Sequence, residues 1–303
     1  MRIGFVGLGR MGMNMVHRLL DHGQEAAAYN RTPEKTAEAV RHGAVPASTL
    51  EELVGKLTPP RAVWVMVTAG PAVDENLTAL ADLLSPGDIL IDGGNSHYKD
   101  TLRRANPLRE KGIRFLDVGT SGGIWGLREG YCLMIGGDES AYRDLIPVFK
   151  ALAPAEGYAY MGPHGAGHFV KMIHNGIEYA LLQAYGEGFA LLKDGPFPLD
   201  LHRISSLWGK GSVVRSWLLD LTERVLSKDA DLSGIRGVVE DSGEGRWTLL
   251  EAVERGVPAP TIALALMARF RSRETDAFSD RLIAALRQEF GGHGLQKKTN
   301  GYE

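Results

Sequence analysis

The sequence has a single cysteine, Cys132, so no disulfide can form within the chain and nothing suggests a secreted, cross-linked framework. Positive charge is not in excess. The 34 Lys and Arg stand against 37 Asp and Glu, for a formal charge of −3, and the pI is near 6.3. That balance excludes a generic nucleic-acid binder while leaving room for local anion sites. No apolar run is long enough to span a bilayer, which argues against a membrane protein. The few apolar residues between Met1 and Gly7 are too short a core for a signal peptide, and no cleavage site follows. The 9 histidines show no metal-ligand spacing, so no metal is expected. A soluble, cytoplasmic, enzyme-like chain is the expectation. What the sequence does have is length and apolar content: 303 residues, 44% hydrophobic, enough to fill two domains. Cys132 itself reads as a small hydrophobe in a strand.

The first half alternates short apolar runs with amphipathic stretches, the βαβ signature of a mostly parallel sheet. Strands are predicted at Ile3 to Val6, Ala62 to Val67, Ile89 to Ile91, Phe115 to Val118 and Leu133 to Ile135, and from position alone at Glu25 to Tyr29. Pro46, Pro59-Pro60, Pro71 and Pro86 mark loops. Beyond Gly162-Pro163-His164-Gly165 the strand signals fade. Helices are predicted at Gly167 to Lys193, Leu199 to Trp208, Ser212 to Leu226, Thr248 to Arg255 and Pro258 to Arg287, followed by an extended tail from Gly291. The fold expected is α/β then all-α: a doubly wound domain over 1–164 and an all-helical domain over 165–303.

Gly7-Leu8-Gly9-Arg10-Met11-Gly12 follows the first strand and opens a helix. In that position the pattern is a strong dinucleotide signature. The first glycine allows the tight turn and the second lets backbone approach a pyrophosphate. The third brings helix and strand together. An NAD site would carry an acid at the end of the second strand, to accept from a ribose hydroxyl. This chain has Asn30-Arg31-Thr32, then Lys35. A guanidinium there suits a 2′-phosphate, so NADP is favoured over NAD.

Lys171, His174, Asn175 and Glu178 fall at i, i+3, i+4 and i+7 of one helix and share a face. Val170, Ile173, Ile177 and Leu181 repeat on the adjoining face and are expected to anchor the helix in the core. Gly165-Ala-Gly167 before it removes bulk where something could approach. Such a helix normally turns its charges to water, but a His-Asn pair between lysine and glutamate suits a polar cleft better. Two loops after strands, Asp92-Gly93-Gly94-Asn95-Ser96 and Gly119-Thr-Ser121-Gly122-Gly123, offer hydroxyl, amide and backbone donors where a doubly wound sheet binds ligands.

Taken with Gly-Arg-Trp-Thr around Arg246 and Arg287-Gln-Glu-Phe-Gly-Gly-His293, these segments make the chain resemble 6-phosphogluconate dehydrogenase over essentially its whole length, in the short form of that family. The resemblance implies oxidative decarboxylation of 6-phosphogluconate to ribulose 5-phosphate. Lys171 would be the general base and Glu178 the acid that protonates C1. Asn95, Ser121, Gly122, Gly123, His174 and Asn175 would hold the carboxylate and hydroxyls. Tyr179, Arg246 and Arg269 would bind the phosphate, with Arg287 and His293 supplied by a neighbouring subunit's tail in a homodimer or homotetramer. The cofactor would lie along Gly7 to Gly12, Asn30, Arg31, Thr32, Lys35, Val67, Thr68, Ala69 and Asn95. The base must be neutral and the acid protonated, so their surroundings should push the two apart.

The chain departs from the long form in its shorter helical region. It has Arg246 where lysine is usual, and Ile124-Trp125-Gly126 in place of an acidic pair. Thr68 also stands where the long form has lysine, which weakens the case for NADP. A β-hydroxyacid dehydrogenase shares the fold, the glycine turn, a Ser-Gly-Gly loop and a helix lysine. It has no need of His174, Glu178 or the set Arg246, Arg269 and Arg287. A catalytically silent nucleotide sensor would not need Lys171 or Glu178.

Overall fold

A computed structural model describes residues 1–291. Eight strands form one sheet: β1 (Arg2–Val6), β2 (Glu25–Tyr29), β3 (Val45–Pro46), β4 (Ala62–Val65), β5 (Ile89–Asp92), β6 (Arg114–Ser121), β7 (Cys132–Gly137) and β8 (Tyr158–Gly162). Their order is β3-β2-β1-β4-β5-β6-β7-β8. Every pairing is parallel except β6 with β7. The chain thus winds outward from β1 in both directions, and the order reverses between β1 and β4, where open α/β sheets place their ligand crevice. The doubly wound expectation holds.

Alternation along each strand feeds two cores, one on either side of the sheet. Ile3, Phe5, Trp64, Ile91 and Leu116 point into one, and Val6, Val63, Val65, Leu90 and Phe115 into the other. Each such side chain contributes about 1.5–3 kcal/mol by leaving water. β3 and β8 carry too little periodic signal to be predicted. Pro46, expected in a loop, ends β3; it is tolerated because β3 is an edge strand. β4 ends at Val65, leaving Val67, Thr68 and Ala69 in the loop that follows. Cys132 lies in a strand as expected but is exposed, at the first residue of β7.

The C-terminal helices are Ala166–Lys193, Leu201–Trp208, Trp217–Leu226, Glu244–Arg255, Pro260–Arg271 and Phe278–Gly291. Their starts are set by caps that an apolar pattern does not display. Asp200 accepts from the Arg203 amide and Ser216 from the Leu219 amide, so two helices begin later than expected. Glu244–Arg255 begins earlier, just after left-handed Gly243. The single helix expected from Pro258 to Arg287 is two, separated by a polar stretch in which Asp276 has φ of 63°. Gly291 ends the last helix rather than starting an extended tail; the rest of the tail lies outside the described residues.

The described chain forms two compact units. One is Met1–Ile177 with Glu244–Glu251, holding the sheet, the start of the helix Ala166–Lys193 and two turns of the helix Glu244–Arg255. The other is Glu178–Gly243 with the residues from Ala252 onward, and the elements described in it are helical. Among the described residues no helix is long and apolar enough to cross a membrane.

Candidate active site

The glycine turn has the geometry its sequence implies. Gly7 has φ of +96°, and a Cβ there would lie 2.3 Å from the Met66 carbonyl oxygen. A Cβ on Gly12 would lie 2.0 Å from the Gly7 carbonyl oxygen, so this glycine lets the helix Arg10–Asp21 close on the turn. A Cβ on Gly9 would meet nothing within 4 Å. Gly9 also precedes that helix without any side-chain cap, so open space faces uncapped amides, a fit for a pyrophosphate. Leu8 is buried and Met11 packs on the core, so only their backbone can serve a ligand. Asn30 supports the turn: its Oδ1 accepts from the Leu8 amide at 2.8 Å, while its own amide donates to Thr36 Oγ1. Arg31 and Thr32 are exposed, as is Lys35, which pairs with Glu38 at 2.9 Å. Arg10, Lys35 and Glu38 border a cavity of about 270 Å³ beside Gly9.

On the C-terminal side of β5, Asp92 is fully buried and shapes the Gly-Gly-Asn loop. Its carboxylate accepts from the Gly94 amide, the Ser96 hydroxyl at 2.7 Å and the Arg104 guanidinium at 3.2 Å. Asp92 and Ser96 are therefore loop builders, and Asn95 is the residue they present. Asn95 Nδ2 lies 3.4 Å from Glu244 Oε1.

The helix Ala166–Lys193 is tied to the sheet by a group the sequence reading missed. Asp117, in the middle of β6 and fully buried, accepts from the Gly165 amide at 2.8 Å and the His168 amide at 2.9 Å. A buried carboxylate thus caps the positive end of the helix. Cβ atoms on Gly167 and Gly136 would fall 2.4 Å from the Met134 carbonyl and 2.6 Å from the Gly167 amide. The small residues before the helix therefore admit the protein's own sheet, not a ligand.

The anchoring role expected of the apolar face of that helix does not hold. Lys171 and Asn175 are buried, at 5% and 8% exposure, whereas Val170, Ile177 and Leu181 are 37%, 51% and 44% exposed. Apolar spacing identified the helix correctly but not its inner face, because the cap on Asp117 and the glycine contacts fix its rotation. Lys171 lies against Gly119, where a Cβ would come within 2.4 Å of its own Cβ. Its Nζ donates to Asn175 Oδ1 at 2.7 Å and lies 3.4 Å from His174 Nδ1. The same amide oxygen is 2.9 Å from His174 Nδ1. His174 Nε2 shares a hydrogen bond of 3.2 Å with the Ser121 hydroxyl. Lys171, His174, Asn175 and Ser121 thus form one hydrogen-bonded chain, continuous with the loop carrying Gly122 and Gly123, whose φ values are +122° and +54°.

Glu244 was also missed. It is 5% exposed, and its Oε2 has no partner among the described residues. Its helix is held by Thr248, whose hydroxyl donates to the Met172 carbonyl. The signal for both omissions was present: an Asp inside the run Arg114-Phe-Leu-Asp-Val and a Glu between glycines are charges that a buried setting must use. Arg246, two residues on, is exposed.

In the second unit, Tyr179 is buried and the Arg269 guanidinium lies 3.4 Å from its ring centroid. Arg269 Nη1 donates to the Glu240 carbonyl, and the Tyr179 hydroxyl accepts from the Ser242 amide. Glu178 precedes Tyr179 on the same unbroken helix as Lys171. Arg287 is exposed on the helix Phe278–Gly291, and His293 lies outside the described residues. No group of acidic, histidine or cysteine side chains among the described residues could hold a metal ion.

With this geometry in hand, the comparisons with known proteins are specific. A family model described as the NAD binding domain of 6-phosphogluconate dehydrogenase matches residues 2–162, and one described as that enzyme's C-terminal domain matches residues 167–285. The chain belongs to the 6-phosphogluconate dehydrogenase family. A Haloferax volcanii relative, named as an NAD(+)-dependent, decarboxylating 6-phosphogluconate dehydrogenase, is 45% identical over 99% of this chain and 100% of its own. The solved structure of the Plasmodium falciparum 6-phosphogluconate dehydrogenase, studied with NADP+ and with 6-phosphogluconate, is 34% identical with a TM-score of 0.84. It is matched over 100% of this chain and 67% of that one. A Mycobacterium tuberculosis 3-hydroxyisobutyrate dehydrogenase, 23% identical over 94% of this chain and 99% of that one with a TM-score of 0.72, shares the fold alone.

Proposed function

We propose that the protein oxidises and decarboxylates 6-phosphogluconate to ribulose 5-phosphate and CO₂, taking NADP ahead of NAD. The carrying observation is the hydrogen-bonded chain Lys171–Asn175–His174–Ser121, whose lysine and asparagine are buried and which joins the capped helix to the end of β6. A hydroxyacid dehydrogenase of the sister family needs the lysine but not the histidine relay or the Arg246, Arg269 and Arg287 set. The family match supports the phosphorylated substrate over the small hydroxyacid. The dinucleotide domain is taken as 1–164 and the substrate and assembly domain as 165–303.

In this reading Lys171 accepts the proton of the C3 hydroxyl. Asn175 holds its Nζ in place. Gly7 to Gly12, Val67, Thr68, Ala69 and Asn95 would hold the dinucleotide, whose nicotinamide would accept the hydride from C3. The 3-keto acid then loses CO₂, with the ketone oxygen as electron sink, and Glu178 protonates C1. Asn95, Ser121, Gly122, Gly123, His174 and Asn175 orient the carboxylate and hydroxyls. Tyr179, Arg246 and Arg269 take the phosphate. Arg287 and His293 join them from a second copy in a homodimer or homotetramer, for which the exposed apolar side chains of the helical unit are the support.

NADP is favoured because Arg31, at the end of β2, is exposed and no acid stands at Asn30, Arg31 or Thr32. The decisive assay follows reduced nicotinamide and CO₂ together, with 6-phosphogluconate and each cofactor in turn. Equal yields of both products support the reaction, and reduction without CO₂ would exclude it. Arg31→Ala should raise the KM for NADP far more than that for NAD; equal losses would remove the preference.

A further inference from the structure

The cavity beside the glycine turn contains an acid as well as bases. Arg10 and Asn14 reach it from the helix Arg10–Asp21, and Lys35 and Glu38 from the helix Pro33–Arg41. Lys35 Nζ donates to Glu38 Oε2 at 2.9 Å. With side chains 51% and 40% exposed, this pair adds little to stability. Its location is more informative, because it lies by Gly9, the glycine with open space before it.

We propose that Glu38 is a specificity-determining residue for the cofactor, acting through its grip on Lys35. The inference rests on the reading that the dinucleotide binds at this turn. A ribose 2′-phosphate approaching Lys35 must compete for its ammonium with the carboxylate already there. An unphosphorylated ribose brings no anion that needs Lys35, so the competition costs NAD little. The Lys35 hydrogen bond and charge hold the Glu38 carboxyl below the usual carboxylate range, so it is ionised at neutral pH. Arg31 favours the phosphate, and the Lys35–Glu38 pair narrows that preference.

The test is the NADP:NAD ratio of kcat/KM for the full chain and for Glu38→Gln, Lys35→Ala and the double variant, with fluorescence titration of NADPH and NADH as a direct binding measure. Glu38→Gln should raise the ratio roughly two- to fivefold, the scale of an exposed ion pair, and most of that gain should vanish in the Lys35→Ala background. An unchanged or lowered ratio in Glu38→Gln overturns the proposal. So does an equal gain in both backgrounds, since Glu38 would then act without Lys35. Arg31→Ala separates the two readings. If it weakens NADP selectively while Glu38→Gln is silent, only this inference fails; if it weakens both cofactors alike, the NADP reading fails.

Discussion

In the unit that carries the sheet, Asp92, Arg104, Asp117 and Lys171 are 0%, 4%, 0% and 5% exposed, while in the helical unit Leu191, Phe197 and Phe278 are 76%, 67% and 70% exposed. The same alphabet is used in opposite senses. A doubly wound sheet closes both of its faces with helices from its own chain, and the space left at its C-terminal edge can be filled by charges that satisfy one another. The helical unit has no sheet to wrap. Its helices leave grooves of about 510 Å³ and 420 Å³ lined by residues such as Leu182, Tyr185, Phe189 and Trp208. Apolar periodicity therefore marks a core in one unit and, in our reading, an interface in the other.

The largest expected effect tests the buried polar chain. Lys171→Met should lower turnover by about two to four orders of magnitude, the range of a lost general base, with an unaltered unfolding curve. Glu178→Gln should keep hydride transfer partly alive and slow the later proton step, visible as a lag between reduced nicotinamide and product. Near-normal turnover in both variants would remove the catalytic reading of this helix.

Asp117→Ala comes next. It leaves the Gly165 and His168 amides without their acceptor, so a loss of about 2–6 kcal/mol is expected from two buried amides at about 1–3 kcal/mol each. Chemical denaturation measures it, and a loss below about 0.5 kcal/mol, the size of a surface substitution, would show that the cap does not set the helix.

The contrast between units is sharpened by Leu182→Glu. Leu182 is 40% exposed on a groove of the helical unit, so the charge should be tolerated by the fold but oppose assembly. Light scattering should show smaller particles, and the KM for 6-phosphogluconate should rise if the tail of a second copy completes the site. An unchanged mass would place the interface elsewhere.

The smallest effect concerns His17, whose ring stacks on His42 with centroids 4.0 Å apart. Burial, and then the neighbouring His42, hold its pKa below the ordinary histidine value. A depressed pKa means that the unfolded chain takes the proton first. The stability contributed by neutral His17 is thus present above the unfolded value of about 6.5 and declines as pH falls through it. Thermal melts between pH 7.5 and 5 should lose less for His17→Asn than for the parent; parallel slopes would clear His17 of this role.

Most of the architecture was legible in the sequence because it rests on local patterns. Short apolar runs gave five of the sheet's strands their places and position gave a sixth, and Gly7 and Gly12 meet the steric demand their spacing implied. The polar face of Lys171, His174 and Asn175 was legible for the same reason, since helical spacing is a one-dimensional quantity. What holds that face inward, and leaves the apolar one exposed, was not. It depends on Asp117, far away in the chain, reaching two amides, and on Gly119 and Gly136 admitting a helix at short range. The setting of Glu244 beside Asn95 is likewise a meeting of groups far apart in the chain. The sequence alone determined which elements form and which chemistry they carry, because propensity and periodicity act between near neighbours along the chain. Only the tertiary structure decided which faces are hidden, because burial is settled by partners that the linear order does not bring together.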